Sequence, residues 1–206
     1  MGLTAALALS GGAARAEGLV EPTYGRFEGD VTLVVGAGAT VAARGPRAEG
    51  EVRVRYLESA GVFASYEDGP LLGSASVPER ELAAGLEVRP LFLARWLTGH
   101  ETRRARVDLM LDSLGLELGG VLAQSAAERF ASHAGVQAGL GLEIPLLRAA
   151  TGPWIGLHGG VRWSEEALAS GRVADPTDRG LFVAITLAWH AVILTHLVDV
   201  GDGPPL

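Results

Sequence analysis

Three histidines are the first residues that could do chemistry. His133, His158 and His190 share one parity of three successive alternating stretches, a placement that could gather imidazoles around a metal ion. Depth argues against it. Counted from Phe130, Trp163 and Leu181, they sit three, five and nine residues in, or roughly 10, 17 and 30 Å at about 3.3 Å per residue. Metal–imidazole bonds are about 2 Å long, so no metal site is expected. Ser132 and His133 invite a hydrolase reading, but adjacent residues of a strand point to opposite faces and cannot form a dyad with each other. Gly36-Ala37-Gly38 lacks the strand–loop–helix context and downstream Lys of a phosphate loop. The absence of Cys excludes thiolate catalysis, disulfides and Cys-ligated zinc. No catalytic residue and no cofactor is therefore expected.

A larger polar set remains. Arg53, Arg55, Glu87, Arg89, Glu117, Glu143 and Arg162 lie, with the three histidines, on the parity opposite the apolar side chains. Period-two alternation means strands with one apolar and one polar face. Seven stretches show it: Phe27–Arg44, Glu51–Glu67, Glu81–Trp96, Ala105–Leu122, Phe130–Leu146, Trp154–Trp163 and Leu181–Leu197. Soluble strands average about five or six residues, and these patterns run much longer. Within Ala105–Leu122 the parity shifts near Asp112-Ser113, which a one-residue bulge would reconcile. The alternative is a short amphipathic helix carrying Val107, Met110, Leu111 and Leu114 at i, i+3, i+4 and i+7. The bulged strand is preferred because alternation resumes at once. Short connections are expected at Gly45–Gly50, Leu97–Arg103 and Arg148–Pro153, and longer ones at Asp68–Arg80 and Ser164–Arg179.

Charged residues make up 20% and hydrophobic ones 48%, which is not a disordered composition. A net charge of −7 and the lack of basic runs with interleaved aromatics argue against a nucleic-acid partner. Leu3–Leu9 followed by Ala14-Arg15-Ala16 reads as an export signal over residues 1–16, leaving 17–206 as a single domain. No run of about 18 apolar residues is present, so a membrane could be crossed only by a closed barrel.

The aromatics sharpen this. Phe27, Tyr66, Phe130 and Trp163 fall on the apolar parity at one expected rim, and Trp96 marks the opposite rim, as in an interfacial girdle. In these patterns residues 27 to 197 resemble the small, eight-stranded outer-membrane β-barrels of Gram-negative bacteria. The resemblance implies an all-β, antiparallel up-and-down barrel of about eight strands, with its apolar face outward against outer-membrane lipid. Its polar residues would fill the lumen, and its role would be structural, adhesive or one of minor transport. Seven stretches leave one strand to find, either near Leu19–Arg26 or inside Ala105–Leu122. Glu58 also falls on the apolar face, where a charge in lipid is costly. The alternative is a periplasmic or secreted soluble β-sheet protein, lipocalin-like, with the apolar parity lining a lipid-binding cavity. Oligomeric state is unread.

Overall fold

The computed structural model describes residues 24–26, 28–42, 45–69, 71, 80–124, 129–130, 134–164, 168 and 179–195. The expected export signal and Leu19 lie outside them, as do Phe27 and His133.

Eight antiparallel strands close into a barrel: β1 (Val31–Ala42), β2 (Gly45–Tyr56), β3 (Ala60–Asp68), β4 (Arg80–Val88), β5 (Gly115–Ala123), β6 (Gly135–Pro145), β7 (Gly152–Trp163) and β8 (Arg179–Ile193). Each pairs with its neighbour in sequence, and β1 closes on β8 in the register Val31↔Ile193 to Ala42↔Phe182. Closure leaves no unpaired edge. Valine, isoleucine, threonine and aromatics recur through β1 and β8, the side chains that pack well on a pleated surface. Among the described residues no helix is long and apolar enough to cross a membrane.

Side chains sort by parity as the alternation requires. In β2, Glu49, Glu51, Arg53 and Arg55 are buried while Val52, Val54 and Tyr56 are exposed. In β8, Phe182, Ala184, Thr186, Ala188 and His190 are buried between exposed Leu181, Val183, Ile185, Leu187 and Trp189. The apolar parity therefore faces outward on a closed barrel. This overturns the carrier arrangement, in which that parity would line a cavity.

The missing strand lies elsewhere than expected. Glu51–Glu67 is not one strand but the hairpin β2–β3, turned at Leu57-Glu58-Ser59. Leu57 and Glu58 both take positive φ, 45° and 53°. Glu58 is thus removed from the outer face; it is buried at the turn and bonded to Arg89. The expected connection at Gly45–Gly50 is the first half of β2, and β1 joins β2 through residues 43–44.

The stretch Glu81–Trp96 ends as strand at Val88. It gives way to α1 (Pro90–Thr98), with Pro90 in the first turn, where a missing N–H costs nothing. Gly99 closes α1 in the left-handed conformation (φ 63°), its N–H reaching Trp96 O. Trp96 therefore sits on a helix rather than at a strand end. Leu97–Arg103 is likewise no tight turn, since α1 leads to a second helix, α2 (Ala105–Asp112). The preferred bulged strand over Ala105–Leu122 is overturned: its first part is α2, the helical alternative, and Gly115–Ala123 is β5.

Both helices belong to the end of the barrel where β1 begins and β8 finishes, together with the β2–β3 turn and the β6–β7 connection. This is called here the helical end. Segments 69–79, 124–134 and 164–178 connect strands at the opposite end.

Candidate functional site

The buried parity converges on an ionic network in the half of the barrel nearer the helical end. Arg53 lies at its centre. Its Nε donates to Glu51 Oε2 at 2.8 Å, its Nη1 to Glu117 Oε1 at 2.6 Å, and its Nη2 lies 3.0 Å from His158 Nδ1. The guanidinium also sits over the Phe63 ring, 5.5 Å from its centroid. Arg55 bridges Glu87 (3.1 Å) and Glu143 (2.7 Å). Arg89 holds Glu87 at 2.9 Å and Glu58 at 2.6 Å, and bonds Glu143 as well. His158 completes the set through Glu117, 2.9 Å from Nδ1. The strands position these groups by alternation alone: Arg53 and Arg55 are two apart on β2, and Glu87 and Glu117 are register partners across β4 and β5.

Closer to the opposite end, a second network forms. Arg162 donates to Gln137 (2.8 Å) and pairs with Glu67 (2.6 Å) and Glu81 (2.7 Å), its guanidinium 4.2 Å from the Phe182 ring centroid. Arg47 pairs with Glu81 at 2.6 Å. His190 does not join His158. It is buried near the helical end, stacked on Trp154 at 4.4 Å and 7° between planes. His158 and His190 engage different partners, and no cluster suited to a metal ion occurs among the described residues.

The helical end carries a third cluster, which nothing in the sequence pattern marked. Arg26 bonds Asp112 and pairs with Glu101 at 2.6 Å, and its guanidinium lies 5.4 Å from the Phe92 ring centroid. Arg95 bonds Asp108 and reaches Asp112 at 3.2 Å. Tyr24 donates its hydroxyl to Asp108 at 3.0 Å, and its carbonyl accepts from Ala150 N at 2.9 Å. The chain ahead of β1 is thus tied to α2 and to the β6–β7 connection. Ser113 continues the tie inward, donating to Glu143 O and accepting from Glu143 N, both at 2.8 Å.

Electrostatics divide the two aspartates. Burial pushes Asp108 up, but hydrogen bonds from Thr102, Tyr24 and Arg95 outweigh it and hold the carboxyl below its ordinary value. For Asp112 burial prevails over Arg26 and Arg95, and its value is raised. Burial and the Asp108 carboxylate push the Tyr24 phenol up to about 12.

Aromatics expected at the rims are distributed between the ends. Tyr66 on β3, Phe130 bridging Gln124, and Trp163 ending β7 lie at the end away from the helices. Trp96 lies at the helical end. So does Glu28, the neighbour of Phe27, which places the start of β1 opposite the rim first expected for it. Because Glu51–Glu67 is two strands, every rim assignment after β1 reverses relative to it. Glu51, Glu67 and Glu81 share the buried parity of the named residues and could have been added by that criterion. Arg26, Asp108 and Asp112 could not, since their proximity depends on how the helices fold back.

Chemically, the interior offers paired ions, with two buried hydroxyls that donate to carboxylates, Thr40 to Glu49 and Thr186 to Glu51. No protein-family model matches the chain, and no curated protein matches it. Among solved structures, the chain is similar to the crystal structure of Ail, the attachment invasion locus protein of Yersinia pestis, in complex with the heparin analogue sucrose octasulfate. Identity is 10% and the TM-score 0.36, over 78% of this chain and 97% of that one.

Proposed function

We propose that the protein is an integral outer-membrane barrel with an interior sealed by its own charged side chains, its role being structural or borne by its connecting segments rather than solute passage. The observation that carries this is the inversion of the usual burial order. Val35, Val62, Leu86, Leu118, Leu140 and Leu187 are exposed around the barrel, while Arg53, Arg55, Glu87 and Glu143 are buried within it. Water would penalise the first set, and a bilayer would favour it. Length agrees. Strands of 9 to 15 residues meet the nine to eleven or so that a tilted transmembrane strand needs. The closed ladder satisfies the backbone internally, as hydrocarbon demands. Tyr66, Trp96 and Trp163 then stand at the levels of the two interfaces, where amphipathic rings settle.

An eight-stranded barrel has an interior just wide enough for side chains to fill. Here guanidinium forks and carboxylates cross it, favouring a closed core over a channel. The test is fractionation of expressed protein with gels run before and after boiling, followed by bilayer recording. A detergent-extracted, heat-shifted band without conductance is expected. A water-soluble, heat-indifferent protein overturns the membrane reading, and steady conductance overturns the sealed interior.

A further inference from the structure

Helix α1 buries Phe92 but leaves Leu93, Trp96 and Leu97 exposed at 39%, 50% and 73%. Spaced i, i+3 and i+4, they form one stripe along the helix. The side of α1 turned to the barrel is otherwise accounted for: Phe92 lies under Arg26, and Arg95 is engaged with Asp108 and Asp112. The stripe is not isolated. At the same end the β2–β3 turn exposes Tyr56 and Leu57, and the β6–β7 connection exposes Leu146 and Leu147. Arg106 Nη2 donates to Leu146 O at 2.8 Å, joining α2 to that connection. Apolar surface thus continues past the strand ends onto the segments that close the barrel.

Charge at this end runs against the rest of the chain. The protein carries −7 overall, yet Arg103, Arg104, Arg106 and Arg148 are exposed here, opposed among the described residues by exposed Glu28. Glu58, Asp108 and Asp112 are buried, and Glu101 is paired with Arg26. Leucine and tryptophan on one side of a helix, with guanidiniums beside it, match the two layers of a membrane interface: acyl boundary and phosphate.

We propose that α1 and the arginines following it form an interfacial anchor that takes anionic phospholipid from the leaflet at the helical end. The anchor rests on the membrane reading above. It adds a lipid-headgroup site to the barrel and predicts which leaflet is recognised.

The chain has no Cys, so Leu97→Cys and Val35→Cys each give one labelling position for a nitroxide. The full chain is reconstituted in phosphatidylcholine vesicles with and without phosphatidylglycerol, and folding is checked by heat-shifted gels. Collision of the label with oxygen, which concentrates in lipid, is compared with that of a water-soluble nickel chelate. Leu97→Cys should favour oxygen several-fold over an aqueous reference, more strongly as phosphatidylglycerol increases. Adding Arg103→Gln, Arg104→Gln, Arg106→Gln and Arg148→Gln should abolish that dependence. If Leu97→Cys reads water while Val35→Cys reads lipid, the anchor is overturned and the barrel reading stands. Shielding of Leu97→Cys from both reagents reveals a protein face over α1 and likewise overturns the anchor. Lipid insertion indifferent to phosphatidylglycerol overturns the anionic recognition. Should Val35→Cys itself read water, the membrane reading beneath the proposal fails.

Discussion

Val52 and Arg53 are neighbours on β2, yet they obey opposite rules. Val52 stands on the outer face among Val35 and Ala64, its register partners, where each contact is apolar and replaceable. Arg53 stands inside, where its guanidinium serves Glu51, Glu87 and Glu117 at once. The outer face is thus held by a sum of interchangeable parts. The interior is a coupled set, because removing one buried ion leaves its partners uncompensated. A single strand supplies both, and the barrel's closure keeps them apart.

The largest effect that tests this contrast is inside. Arg55→Met removes the bridge between Glu87 and Glu143 and should cost about 3–5 kcal/mol, the usual penalty for breaking a buried pair from one side. Urea titration of the refolded barrel measures it; a cost near that of an ordinary surface change would erase the distinction. Outside, Val35→Arg should cost about 2–4 kcal/mol if the position lies near the bilayer midplane, whereas Val35→Ile should stay within about 0.5 kcal/mol. Equal tolerance of both substitutions would mean that water, not lipid, meets that face. The smallest effect lies at the seam, where the interior's polar logic meets solvent. Tyr24→Phe deletes the bond to Asp108 and should cost about 0.5–1.5 kcal/mol. Its pH dependence has a definite sign. The Tyr24 phenol is raised from 10.0 to about 12, so its contribution is complete below the lower value and lost as pH rises through the upper one. Alkaline titration of stability should therefore differ between Tyr24 and Tyr24→Phe in that window, and superimposable curves would show that the bond to Asp108 contributes nothing.

Much of the architecture was legible because two-residue periodicity survives in sequence wherever one face of a strand is apolar. β1, β6 and β7 follow their stretches closely, apart from frayed starts such as Phe130, which lies outside β6 and only bridges Gln124. The β2–β3 hairpin escaped for a physical reason. Its three-residue turn preserves parity, so Tyr56 and Ala60 both face outward and the alternation resumes in step, Glu58 alone interrupting it. Nor does the turn announce itself: its positive φ angles fall on Leu57 and Glu58 rather than on glycine or asparagine. Helix α2 posed the converse problem. Its i, i+3, i+4, i+7 stripe was visible, but the side it buries carries Asp108 and Asp112 with Leu109. A helix covering a charged interior buries acids, and hydrophobic patterning cannot announce that.

The sequence by itself determined that long half-apolar strands would form, that their other face would carry arginine and glutamate, and that, without Cys, no thiol chemistry would be built from them. Those properties are local, set by parity and residue type. The tertiary structure decided between the expected outward apolar face and its inward alternative, located the eighth strand in the β2–β3 hairpin, and alone brought Arg26 onto Asp112. Each of those depends on which strand meets which, and strand closure joins residues far apart in the chain, such as Val31 and Ile193, that no periodicity connects.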